Sequence, residues 1–71
     1  ILNIPLFFKL LRAGFAAPRK QLRNSIALGL SIENKMSEEL LSLASINYQR
    51  RAETLSIEEW INLYNYWREM D

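Results

Sequence analysis

Residues 12–25, RAGFAAPRKQLRNS, carry four cations, Arg12, Arg19, Lys20 and Arg23, and no acidic side chain. The chemistry open to such a group is electrostatic. Guanidinium and ammonium groups gathered at a helix junction can neutralise a run of phosphates and release counterions. The resulting affinity for nucleic acid depends on salt more than on base sequence. Free N–H groups at a helix start would add to it. These four are the candidate RNA- or DNA-contacting residues. The other candidates are the carboxylate pairs Glu38/Glu39 and Glu58/Glu59. Adjacent residues do not share a helix face, and both pairs read as first-turn residues, where the helix dipole favours anions. Their expected role is structural.

Composition removes most other chemistry. The 71 residues allow one domain, with no cysteine, no histidine and only two glycines. Disulfides, thiolate metal sites, a histidine general base and Ser/His or Cys/His nucleophile pairs are thereby excluded. So is a Gly-rich phosphate loop. The sequence predicts no catalytic, cofactor-binding or metal-ligating residue in this chain. No apolar run approaches the roughly 20 residues of a membrane span, and the start lacks the pattern of a signal peptide. The chain opens on Ile1 within sequence that reads as structured, so it is expected to be a piece of something longer. Net charge is +1, yet residues 1–30 hold five cations and no anion, whereas residues 31–71 hold four cations and eight anions. That asymmetry suits either a polyanionic partner or attraction between the two halves within the fold.

The elements that must position these residues read as helices. Over 4–15, Leu6, Phe7, Phe8, Leu10, Leu11 and Phe15 fill a broad arc, with Lys9 and Arg12 in the polar gap. Asn3 is the expected N-cap, Pro5 fits the first turn, and Gly14 suits a helix end or a close helix–helix approach. The arc predicts a helix nearly central to the core. Pro18 is expected to open a second helix, with Leu22, Ile26 and Leu30 facing inward, Arg19 escaping over its first turn and Gly29 as the stop signal. SIENKMS, 31–37, reads as a connector in which Ser37 caps a third helix carrying Leu40, Leu41, Leu43 and Ala44. INYQRRAETL reads as a turn-rich loop, with Arg50 and Arg51 solvated. Ser56 and Glu59 form an S-x-x-E capping box, with Leu55 and Trp60 spaced as a hydrophobic staple. The last helix then shows Ile57, Trp60, Ile61, Leu63, Tyr64, Trp67 and Met70 on one face, against Glu58, Asn62, Asn65 and Glu69 on the other. The expected fold is all-α, a compact bundle of four to five short helices.

Two blocks carry a resemblance. FFKLLRAGFAAPRKQLRNSIALGL is similar to the F-x-x-x-V-R-A-A-F-x-x-R-R-K-T-L-R-N-S-L stretch that opens the C-terminal domain of the KsgA-type bacterial small-subunit rRNA adenine dimethyltransferases. RAETLSIEEWINLYNYW resembles that family's closing R-x-E-x-L-S-x-E-x-F/W-x-x-L segment. Pro18 stands where the family has the first Arg of its R-R-K run, Gly14 replaces Ala, and Gln21 replaces Thr. The resemblance implies that residues 1–71 are the helical, rRNA-docking accessory domain of a cytoplasmic enzyme. It further implies that the S-adenosylmethionine site and the methyl-transfer chemistry belong to a Rossmann-like N-terminal domain absent from this chain. The implied partners are small-subunit rRNA in the assembling subunit and that catalytic domain, with no membrane. Arg12, Arg19, Lys20 and Arg23 would then face RNA phosphate. Two other readings stay open on the residues alone, a helical module for an acidic protein partner and a small DNA-binding helix-turn-helix. The second of these has only Gln21 and Asn24 to read bases.

Overall fold

Asn3 opens the first helix as expected. Its Oδ1 accepts the Leu6 N–H at 3.1 Å, and Pro5 sits in the first turn. The computed structural model describes residues 2–69. They form α1 (Ile4–Gly14), α2 (Leu22–Leu30), α3 (Asn34–Leu43), a short 3₁₀ turn (Ala52–Thr54) and α4 (Ile57–Glu69), with no strand among the described residues. The fold is all-α. Leu10, Leu22, Ile26, Leu41 and Leu63, at least one from each α-helix, are excluded from solvent and make its centre.

The second helix departs from the sequence reading. Residues 15–21 form turns, and α2 begins at Leu22 rather than Pro18. The reason is a distant hydrogen-bond partner. The Leu22 N–H donates to the Arg50 carbonyl at 2.7 Å and the Arg23 N–H to the Tyr48 carbonyl at 3.3 Å, while Asn24 and Ser25 N–H both reach the Gln21 carbonyl. The first three helical N–H groups are thus satisfied by protein, and Ser25 makes the first regular helical bond. The expected free N-terminus for phosphate does not exist.

Neither glycine ends α2. Ser31 takes the left-handed conformation (φ 57°), and the Ile32 N–H returns to the Ala27 carbonyl at 3.0 Å. Ser45 (φ 60°) does the same after α3, with Ile46 N–H to Leu41 C=O at 2.9 Å. Gly29 lies inside α2 because α1 packs directly on it, and a Cβ there would come within 2.4 Å of the Ala13 Cα. Gly14, at the end of α1, lies under the Trp60 ring, and a Cβ there would meet its Cη2 at 2.3 Å.

The third helix starts at Asn34, with Glu33 in the capping position, so Ser37 is not a cap. It is buried one turn into α3 and donates to the Arg23 carbonyl at 2.8 Å. Glu38 and Glu39 therefore lie beyond the first turn. Leu43, expected inside, is exposed, whereas Leu40, Leu41 and Ala44 are buried. The fourth helix begins as its capping box dictates. Ser56 N–H reaches Glu59 Oε1 at 2.9 Å and Glu59 N–H reaches Ser56 Oγ at 3.2 Å. Trp60, Leu63 and Tyr64 are buried and Trp67 half-buried, but Ile57 and Ile61 face solvent, and Met70 lies outside the described residues. On α1 the inward face is narrower than its apolar arc. Phe7 and Leu10 are buried, while Phe8 and Phe15 remain about half exposed.

Arg50 joins the two ends of this frame. Its carbonyl caps α2. Its guanidinium donates to both Glu59 oxygens, Nη1–Oε2 at 2.5 Å and Nη2–Oε1 at 3.1 Å, and to the Thr54 carbonyl. The Arg50 hydrogen bonds, with the Ser56 N–H, pull the Glu59 carboxyl down to about 2. Both side chains are about one-third exposed, so salt screens the pair.

Two outcomes follow from this packing. Gly29→Ala forces a methyl against α1 backbone and should cost about 1–3 kcal/mol, read by urea denaturation. A stability equal to wild type would place the α1–α2 contact elsewhere. Because the folded Glu59 carboxyl titrates below its ordinary value of 4.5, the unfolded chain binds more protons between pH 4.5 and about 2. The stabilisation is complete above that window and is lost as pH falls through it. Melting temperature should drop over that range in the wild type and drop less in Glu59→Gln. Parallel curves would show that the pair contributes nothing.

Candidate nucleic-acid interface

The loop that carries the cationic cluster is held from beneath by one hydroxyl. Ser25 is buried on α2, its Oγ lies 2.9 Å from the Ala13 carbonyl and 2.7 Å from that of Gly14, and it accepts the Ala17 N–H at 2.9 Å. The one hydroxyl proton serves the Ala13 or the Gly14 carbonyl at the end of α1, and the oxygen fixes Ala17 of the loop. The Lys20 N–H closes a further turn onto the Ala17 carbonyl at 2.9 Å. The inward pull leaves the charged side chains outside. Arg12, on the last turn of α1, and Arg19 and Lys20, in the loop, are all exposed. Among the described residues the ion pairs are Arg23–Glu38 and Arg50–Glu59, so these three cations enter neither. Arg12 has no glutamate partner there.

Arg23 is placed differently. It is half-buried, its Nη1 lies 2.8 Å from Glu38 Oε2, and its guanidinium stands 5.1 Å from the centre of the Tyr48 ring. The structure therefore groups three of the four candidate cations at the α1–α2 junction and turns the fourth towards α3 and the 46–50 loop. Arg23 carries the contacts that hold those segments together.

Beside the loop runs a solvent-open hollow of about 490 Å³ on α2 and the α2–α3 turn, with Lys20 at its rim and Asn24, Ser31 and Asn34 among its walls. These three neutral groups were not singled out from the sequence as a set, since only the fold brings the two ends of α2 and the start of α3 to one groove. Ser25 and Ser37 were also missed as buried anchors. The one available signal for Ser25 was its place in the R-N-S part of the family-like block. Ala27, Leu28 and Ile32 complete the lining, so the groove presents amide and hydroxyl groups together with apolar surface beside Lys20; polar groups so placed can meet a sugar–phosphate backbone. Among the described residues no set of His, Cys, Asp and Glu gathers for a metal ion, and no helix is long and apolar enough to cross a membrane.

No family model matches the chain. Individual relatives do. It is 54% identical over 57 residues to Ribosomal RNA small subunit methyltransferase A of Dehalococcoides mccartyi (strain BAV1), covering 80% of this chain and 20% of that protein. The protein of that name from Desulforapulum autotrophicum is 51% identical over 57 residues, covering 79% and 20%, and that from Clostridioides difficile (strain 630) is 47% identical over 64 residues, covering 89% and 22%. The chain spans about one-fifth of the length of these relatives. With most of its length matched at this identity, and with the two sequence blocks on the helices that form the core, the chain belongs to the KsgA-type small-subunit rRNA methyltransferase A family and corresponds to the C-terminal part of its members.

Proposed function

We propose that this chain is the helical accessory domain by which an rRNA adenine dimethyltransferase docks on the assembling small ribosomal subunit, through Arg12, Arg19 and Lys20. The observation that carries the reading is the pinned loop. Three cations that enter neither ion pair among the described residues flank the loop that Ser25 pins, next to a shallow groove lined by Asn24, Ser31 and Asn34 together with Ala27, Leu28 and Ile32. Phosphate contacts of this kind orient a protein on RNA without reading bases, which is the work an accessory domain has to do. Arg23 takes a supporting role, fixing α2 to α3. A helix-turn-helix reading fits less well, because α2 is wedged between α1 and α3 and Gln21 is half-buried.

The residues of this chain do not fit S-adenosylmethionine. Both glycines are committed to helix packing, Gly14 under Trp60 and Gly29 against Ala13, which leaves no glycine-lined cradle. The methyl donor and the transfer step are assigned to the remaining four-fifths of the enzyme. Its working place, the assembling subunit, makes the protein cytoplasmic.

Replacing Arg19 and Lys20 together by Ala should reduce the magnitude of the log–log salt slope for small-subunit RNA binding by up to about 2, with folding nearly intact. An unchanged slope would overturn the docking assignment. Ser25→Ala removes no charge. It should cost about 1–3 kcal/mol of stability by stranding buried polar groups, and should weaken RNA binding while leaving the salt slope as it was. If affinity is also unchanged, the pinned loop geometry is irrelevant to binding.

A further inference from the structure

A second surface has the opposite character. Along α1, Ile4, Phe8, Leu11 and Phe15 recur at the 4-3-4 spacing of one helix face. Leu11 is half-buried against the core, and the other three face away from it. Ile4 is 56%, Phe8 53% and Phe15 46% exposed. On α4, Ile57 (62% exposed) and Ile61 (39%) stand one turn apart. The two sets share one side of the molecule. Phe15 stacks on Trp60 at 5.9 Å between ring centres, and Phe7 meets Tyr64 edge-on at 5.7 Å. Glu59 and Asn62, on the far flank of α4, reach Arg50 and the Ala44 carbonyl instead. That leaves Ile57 and Ile61 on the flank nearest α1. The opposite flank of α1 is taken by α2, through Ala13 and Gly29.

Apolar patches of this extent rarely stay uncovered on a small domain. The six residues include no charge, so nucleic acid, which needs cations, is a poor occupant. The relatives supply a better one, since this chain accounts for only about a fifth of their length. A neighbour joined in the same polypeptide sits at high effective concentration and needs only a modest surface, of the size usual between domains, about 600–1,500 Å². We propose that the α1–α4 apolar face is where the rest of the methyltransferase polypeptide packs. The proposal rests on the accessory-domain reading, and it sets the enzyme-facing helices beside the RNA-facing junction, with Arg12, one turn after Phe8, at the border between the two.

The chain has no cysteine, so single reporters are easily placed. Phe8→Cys and Ile57→Cys probe the face, and Leu43→Cys, 53% exposed on α3, is the control. Thiol alkylation at each site is followed by peptide mass spectrometry in the 71-residue chain and in a full-length enzyme, made by exchanging the matching segment of the Dehalococcoides mccartyi protein for this chain. Alkylation at positions 8 and 57 should slow about tenfold or more in the long protein, with position 43 within about twofold. Hydroxyl-radical footprinting of Phe8 and Phe15 in the unsubstituted proteins reads the same burial without any substitution. Equal rates at position 8 in both, with position 43 unchanged and methyl transfer to small-subunit RNA intact, would overturn this face and leave the accessory-domain reading standing. Protection that grows with concentration of the short chain would assign the face to a second copy, and protection only on adding RNA would assign it to nucleic acid. Either result overturns the proposal.

Discussion

The structure depends on the pairing of the α2 N-terminus with the 46–50 loop. α2 has no local cap. The Gln21 side chain makes no capping bond, and no acid lies in the first turn. Its first two N–H groups are satisfied only by the Arg50 and Tyr48 carbonyls. Buried and unpaired, such groups would cost more than a short helix returns. Arg50 then extends the constraint, since its guanidinium holds the Glu59 carboxylate that also closes the α4 capping box. One residue thus ties the start of α2 to the start of α4, and the four-helix arrangement closes around that tie.

Small side chains do the remaining positioning. Ser25 and Ser37 are buried, and each hydroxyl meets backbone of another segment, the α1 end and the α2 start respectively. Gly14 and Gly29 allow Trp60 and Ala13 to approach where a methyl would not fit. Tyr64 adds a wet edge to the core, accepting the Asn3 N–H at 2.8 Å and an Arg68 Nη1 at 3.2 Å while its ring packs on Phe7. In a domain of this size, where the apolar core is small, such specific contacts decide which compact arrangement is adopted.

The uneven charge distribution resolves in two parts. Part of it is internal, since Arg23–Glu38 joins the cationic first half to the acidic second half, as the alternative of attraction within the fold expected. The rest, Lys9, Arg12, Arg19 and Lys20, stays outside, which the polyanion alternative needs. The apolar residues divide likewise, with Phe7, Leu10, Trp60, Leu63 and Tyr64 forming the core and Ile4, Phe8, Ile57 and Ile61 forming a second, uncovered face.

Local rules were enough for whatever local physics governs. The all-α class, the Asn3 cap and the Ser56–Glu59 box were legible because each rests on residues within one turn of one another. So was the family, since each of its two blocks is an unbroken run of sequence. The start of α2, the embedding of Ser37 in α3, the role of Gly29 and the exposure of Ile57 and Phe8 were decided only by tertiary structure. Pro18 is a sound helix opener in isolation, but the loop carbonyls that complete α2 lie opposite Leu22 and Arg23. Gly29 is a sound stop signal, but Ala13 needs its missing Cβ, so a serine takes the left-handed position instead. Among the cations, sequence placed Arg23 with Arg12, Arg19 and Lys20 because charge and spacing alone carry no record of a partner. Glu38 and Tyr48 reach Arg23 only once α3 and the 46–50 loop have folded against α2, and the carboxylate and the ring then hold the guanidinium there although its Nε is left without a partner.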